Sequence, residues 1–239
     1  MLSILKNHPF AVEACFESSV VLTFAIYKSQ VQHLIPPCLE LDTHNDRWAF
    51  MAVAMVQTKD LRPKGFPGIF GNDFFLVGYR LFVKYINTAG KRLRGLYILR
   101  SETNKRKMEF LGNIFTKYNY KTTDIQQVRK DGVLQISSAK SGFKVSIDTS
   151  EKENISLPSS SPFTDWKDAR RFAGPLPFTF SYDSAKKRVL IIEGVRENWT
   201  PKPVHVIDYN FAFLDNMKLP DLQLANAFII ENIPYYCKK

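Results

Sequence analysis

Two stretches limit what this chain can fold into more than any others: "SSVVLTFAIY", Ser18 to Tyr27, and "RWAFMAVAMVQT", Arg47 to Thr58. Both are almost continuously apolar and rich in β-branched or aromatic side chains. They predict strands covered on both faces rather than wetted on one. A sheet closed on itself, with decoration packed outside it, supplies that cover. The same pattern excludes a transmembrane helix, because the longest apolar run, Trp48 to Val56, has nine residues and a spanning helix needs about 20. No membrane partner is predicted.

Most of the remaining runs also have strand character. "FFLVGYRLFVKY" and "KRLRGLYILRSE" flank "INTAG", a polar, Gly-containing connection that predicts a hairpin. Strict alternation along the second strand puts Arg92, Arg94, Leu96, Ile98, Arg100 and Glu102 on one side, and Leu93, Gly95, Tyr97, Leu99 and Ser101 on the other. Further strands are predicted over Thr116 to Arg129, Val133 to Ser138, Phe143 to Asp148, Leu176 to Tyr182, Arg188 to Val195, Val204 to Phe213 and Ala225 to Cys237. Three short helices interrupt them. One runs from Ser29 to Ile35 and ends at Pro36 and Pro37, since proline supplies no amide hydrogen. A second lies in "NKRKMEFLG", with Asn104 as cap and Gly112 as terminator. "TDWKDARRF" is the third, preceded by a serine- and proline-rich surface loop over Thr149 to Pro162.

A chain of 239 residues, 45% of them hydrophobic, can bury one large core, and residues 1–239 are expected to form one domain. Cys15, Cys38 and Cys237 show no paired spacing, and "MLSILKNHPFAVEACFE" lacks the apolar segment of a signal peptide. The expectation is a cytoplasmic protein with reduced thiols. The triplets "NIS" at Asn154 and "NWT" at Asn198 carry no weight without a secretory route. His8, His33, His44 and His205 are dispersed, and no glycine-rich phosphate loop or nucleophile elbow occurs. Neither a metal nor a cofactor is predicted. The net charge of +10 attracts anions. "GKRLR" (Gly90 to Arg94) and "NKRK" (Asn104 to Lys107), with Tyr118 and Tyr120 available for stacking, allow a nucleic-acid reading, but no recognised module accompanies the charge.

Three segments carry a family resemblance. "LIPPCLELDTHNDRWAFMAVAMVQT", "GNDFFLVGYRLFVKY" followed by "RGLYILRSET", and "NAFIIENIPYYCKK" resemble the acetoacetate decarboxylase superfamily, most closely its branch of unknown function. The resemblance implies an α+β, mainly β fold: a closed antiparallel, cone-shaped β-barrel with peripheral short helices and a buried cavity. It also implies Schiff-base chemistry on an oxo acid by a lysine kept neutral through burial and a neighbouring cation.

Registering "RGLYILRSETNK" on the family's lysine strand puts the paired lysines at Thr103 and Asn104, with Lys105 the nearest amine. The family's arginine falls near Ser18 and Ser19, and its acidic cavity residue near Ala49 and Phe50. The expected ligand is therefore a small anionic organic molecule, bound without the paired lysines. Arg100, Arg80, Tyr79 and Tyr97 are the candidate ligand-binding residues and Glu102 the candidate acid or base. Lys105, at the positive end of its helix and beside Arg106 and Lys107, is the candidate nucleophile of a decarboxylase or aldolase-dehydratase-like alternative. The sequence leaves the oligomeric state open.

Overall fold

A computed structural model describes residues 11–150, 155–174, 176–196 and 200–237. The first ten residues and the asparagines of both glycosylation triplets, Asn154 and Asn198, lie outside the described residues.

The two apolar runs become β1 (Val12–Tyr27) and β3 (Trp48–Pro63), paired antiparallel along nearly their whole length. Between them lie α1 (Lys28–Val31), a 3-10 turn (Gln32–Leu34) and β2 (Glu40–Leu41). β4 (Asn72–Ile86) and β5 (Arg92–Thr103) form the predicted hairpin. Its turn is held by Asn87 Oδ1, which accepts from the amides of Ala89 and Lys91, and by Gly90 at φ +75°. Next come α2 (Arg106–Phe115), β6 (Tyr120–Thr122), β7 (Gln126–Lys130), β8 (Val133–Ser138) and β9 (Phe143–Asp148). α3 (Trp166–Ala173) is capped by Asp165, whose carboxylate accepts from the Asp168 amide at 2.7 Å. β10 (Phe178–Asp183), β11 (Arg188–Arg196), β12 (Lys202–Pro203), β13 (His205–Phe211), α4 (Ala212–Asp215) and β14 (Gln223–Cys237) complete the described chain.

Hydrogen-bonded neighbours run β4, β3, β1, β14, β11, β10, β5, and β5 pairs back onto β4, so seven strands form a ring of pairings. A second sheet, ordered β13, β9, β8, β7, packs against one face of that ring. Leu134, Ile136 and Val145 of the small sheet join Leu22, Phe24 and Val53 of the large one in a shared core, where each fully buried side chain contributes roughly 1.5–3 kcal/mol.

Four expectations are corrected. The ring is not wholly antiparallel: β10 pairs parallel to β5, because the long connection carrying α3 returns the chain in the same direction. The alternation along β5 breaks at Leu99. Tyr79 faces Arg100 while Arg80 faces Ile98, so Leu99 is an extra residue that turns Arg100 and Glu102 away from the face of Arg92, Arg94, Leu96 and Ile98. Asn104 does not cap α2; its Oδ1 accepts from the Phe75 amide at 2.8 Å and ties the end of β5 to β4, while Lys105 occupies the cap position. Gly112 does not end α2 either. It lies inside the helix with the Tyr120 ring against it, where a Cβ would come within 2.4 Å of ring carbons.

Candidate functional site

Period-two alternation gives each ring strand one face toward the core shared with the second sheet and one toward the ring interior. The interior is not filled. A cavity of about 450 Å³ is lined from every ring strand: Thr23 (β1), Ala52 and Ala54 (β3), Arg80 (β4), Leu96 (β5), Thr179 (β10), Ile192 (β11) and Phe228 (β14). Small side chains leave this room. On β3, alanines stand at 52 and 54, and on β4 a Cβ at Gly78 would come within 2.7 Å of the Arg80 guanidinium that lies over it.

One end of the cavity is closed by an aromatic cluster. Phe50 stacks on Phe163 at 4.9 Å, with Phe82, Phe172 and Ala169 of α3 packed around them. Toward the other end, Phe66 and Phe70, both about half exposed, and Met108 and Leu111 of α2 line it. The charged residues on the lining are Arg62, Arg80 and Lys107; among the described lining residues there is no carboxylate. Arg62 is committed to Glu13, at 2.8 Å, and to Asp60. Lys107 donates to Asn72 Oδ1 at 2.9 Å. Arg80 is the cation set in the middle of the sheet.

The residues singled out from the sequence are thus divided between two places. Arg80 lines the cavity. Tyr79, Arg100 and Glu102 point the other way, toward the second sheet, as a consequence of the bulge at Leu99. There Glu102 is fully buried, with Arg100 Nη2 2.5 Å from Oε1, and Arg100 lies 5.1 Å over the Phe213 ring. Burial pushes the Glu102 carboxyl above the ordinary range, while Arg100, Ser141 and Lys121 pull it down. Burial, reinforced by the Glu102 charge, likewise drives the Tyr79 hydroxyl well up. Tyr97 is half-buried on the same outer side, paired with Leu81. Lys105 is exposed at the head of α2 and does not line the cavity.

Sequence reasoning named Lys107 only as part of a basic cluster, not as a lining residue, and missed Thr23. The signal for Thr23 was present as the one polar interruption in "VVLTFAIY". The two basic clusters sit at opposite ends of the twelve-residue β5 and form no single patch. Among the described residues, no group of three or more His, Cys, Asp or Glu side chains gathers to hold a metal, and no helix is long and apolar enough to cross a membrane.

The architecture is that of acetoacetate decarboxylase-like proteins. Acetoacetate decarboxylase from Legionella pneumophila aligns with a TM-score of 0.57 at 11% identity, covering 98% of this chain and 87% of that one. The enduracididine biosynthesis enzyme MppR aligns at 0.56 and 10%, covering 99% and 87%. An acetoacetate decarboxylase-like enzyme from Sphingomonas wittichii gives 0.56 and 10%, covering 98% and 91%. At these identities the likeness concerns the fold alone. The chain belongs to the DUF2071 family, described as an uncharacterized conserved protein, whose family model matches residues 14–234. A search of curated proteins gives no match.

Proposed function

We propose that this protein binds a small anionic organic molecule inside the ring, with the anionic group held by Arg80. The observation that carries this reading is the cavity itself: about 450 Å³, walled by aliphatic, aromatic and small side chains, with cations and no carboxylate among its described lining residues. Apolar walls with a few placed polar groups are the usual form of a small-molecule site, and a guanidinium matches a carboxylate with two parallel hydrogen bonds. A related observation comes from a neighbour of the same fold, MppR, described with HEPES buffer bound. We read the ring as a closed, cone-shaped barrel within one domain over residues 1–239. The free thiols of Cys15 and Cys38 suit the reducing cytoplasm.

Titration calorimetry of the full chain against hexanoate, benzoate, pyruvate and acetoacetate, with hexanamide as uncharged control, tests the proposal. At least one acid is expected to bind while the amide does not. Arg80→Leu should weaken that acid about 10- to 100-fold, the loss of a charge-assisted pair. Equal binding of hexanoate and hexanamide, or binding of no acid, overturns the proposal.

One observation favours a second reading, a Schiff-base lyase: Lys107, rather than Lys105, brings an amine to the cavity lining. Intact mass after incubation with acetoacetate or pyruvate and borohydride distinguishes the two residues. No adduct is expected at Lys105. A mass gain that disappears in Lys107→Ala would establish the lyase reading, and one that disappears in Lys105→Ala would return the nucleophile to the exposed helix head.

A further inference from the structure

Strand register places four side-chain positions in one row across the ring. Arg80 pairs with Ala52, Ala52 with Thr23, and Thr23 with Asn226. The row lies next to the aromatic floor, since the next inward-facing positions along β4 and β3 are Phe82 and Phe50. It holds a cation, a methyl group, a hydroxyl and an amide in that order. Thr23 is 0% exposed and lines the large cavity. Asn226 is 2% exposed and lines a smaller one of about 170 Å³, which shares Ala173, Gly174 and Phe228 with the first. Thr23 Oγ1 and Asn226 Oδ1 are both buried without a hydrogen-bond partner. Buried polar atoms are nearly always paired, so two orphans side by side in a ring interior need an explanation.

We propose that the ligand is a hydroxy acid, its carboxylate on Arg80 and its hydroxyl on Thr23 and Asn226. This rests on the reading of the cavity as an anion site and narrows the class of anion. The amide oxygen of Asn226 can only accept, whereas the Thr23 hydroxyl can donate. A ligand hydroxyl satisfies both at once, donating to Asn226 and accepting from Thr23. An ammonium group donates only and would add charge to an already cationic cavity. Neighbouring strands lie about 4.8 Å apart, so Arg80 and Thr23 are about 10 Å apart at the backbone, and the Arg80 guanidinium lies over Gly78, two residues along β4. The carboxylate and the hydroxyl of the ligand therefore stand on different carbons, and acids with the hydroxyl on the third or fourth carbon probe that separation. Ala52, with no side chain beyond Cβ, leaves the space between Arg80 and Thr23 clear, and the apolar walls receive the rest of the molecule.

The test compares hexanoate, 3-hydroxyhexanoate and 4-hydroxyhexanoate by calorimetry on the wild-type chain, Thr23→Val and Thr23→Ser. At least one hydroxy acid is expected to bind about tenfold more tightly than hexanoate, the worth of one satisfied hydrogen bond. Thr23→Val should bring it down to the level of hexanoate, and Thr23→Ser should keep the preference. Equal affinity of all three acids for the wild-type chain overturns this inference and leaves the anion site standing. Binding of none overturns both. The wild-type comparison decides the matter even where a variant does not fold.

Discussion

Replacing Arg100 by methionine is expected to lower the free energy of unfolding by about 3–5 kcal/mol at pH 7, the cost of leaving a buried carboxylate without its partner. Glu102 is fully buried, and Arg100 Nη2, its ion-pair partner, stands 2.5 Å from Oε1. The double variant, Arg100→Met with Glu102→Leu, should recover most of the loss, because an apolar pair of similar volume replaces a buried ion pair at little or no cost. Urea unfolding of the three proteins measures this. A single variant as stable as the double one would show that Glu102 is hydrated. The pH dependence has a definite sign. Burial raises the Glu102 carboxyl above its ordinary value, so the folded state holds that proton more tightly than the unfolded chain. The resulting stabilisation is complete below the ordinary glutamate range, about 4.3, and is lost as the pH rises through the raised value. Removing Arg100 lifts the carboxyl further and extends that loss to higher pH.

Gly95→Ala should be nearly as damaging, about 3 kcal/mol, or a fall of about 6–12 °C in Tm for a chain of this size. A Cβ at this position would lie 2.4 Å from the Phe178 carbonyl oxygen and 2.6 Å from the Phe180 ring. The first of these is backbone and cannot rotate away. Gly95 is also where β5 meets β10, the parallel pairing that completes the ring. The substitution therefore strikes at closure as well as packing. Gly68→Ala is the control: nothing lies within 4 Å of its Cβ, and its change in Tm should be within a degree or two. Equal effects at the two glycines would mean that the β5–β10 seam adjusts freely.

Strands were legible where turn residues bound a short run, whereas the single strand expected over Thr116 to Arg129 is two, Tyr120–Thr122 and Gln126–Lys130. The limits of β8 and β9 agree with the runs Val133 to Ser138 and Phe143 to Asp148, because turn residues bound them on both sides. The β4–β5 hairpin was equally clear, since its turn chemistry lies within five residues. Long-range pairing was not. Nothing near Phe178 says that it will lie beside Gly95, and the choice between parallel and antiparallel depends on the path of the whole α3 connection. The bulge at Leu99 is one residue without a cross-strand partner, and it sent Arg100 and Glu102 to the wrong face in a reading by strict alternation. The candidate site suffered most from this. Arg80 was visible as a lone cation in an apolar strand, but the row that joins it to Thr23 and Asn226 is a property of register among four strands.

The ring is sewn unevenly, and this governs how it breathes. β1 and β3 share a ladder running almost their full length, whereas β10 meets β5 through three residue pairs and β11 meets β14 through three. The β10–β11 hairpin, with six pairs of its own, is thus a panel with a short hinge line on either side. Local opening follows the weakest set of backbone hydrogen bonds, so amide exchange is expected to be faster at Phe178 to Phe180 than along the β1–β3 ladder. Thr179 and Ile192 on its inner surface line the cavity, so the least firmly sewn wall is also a wall of the chamber.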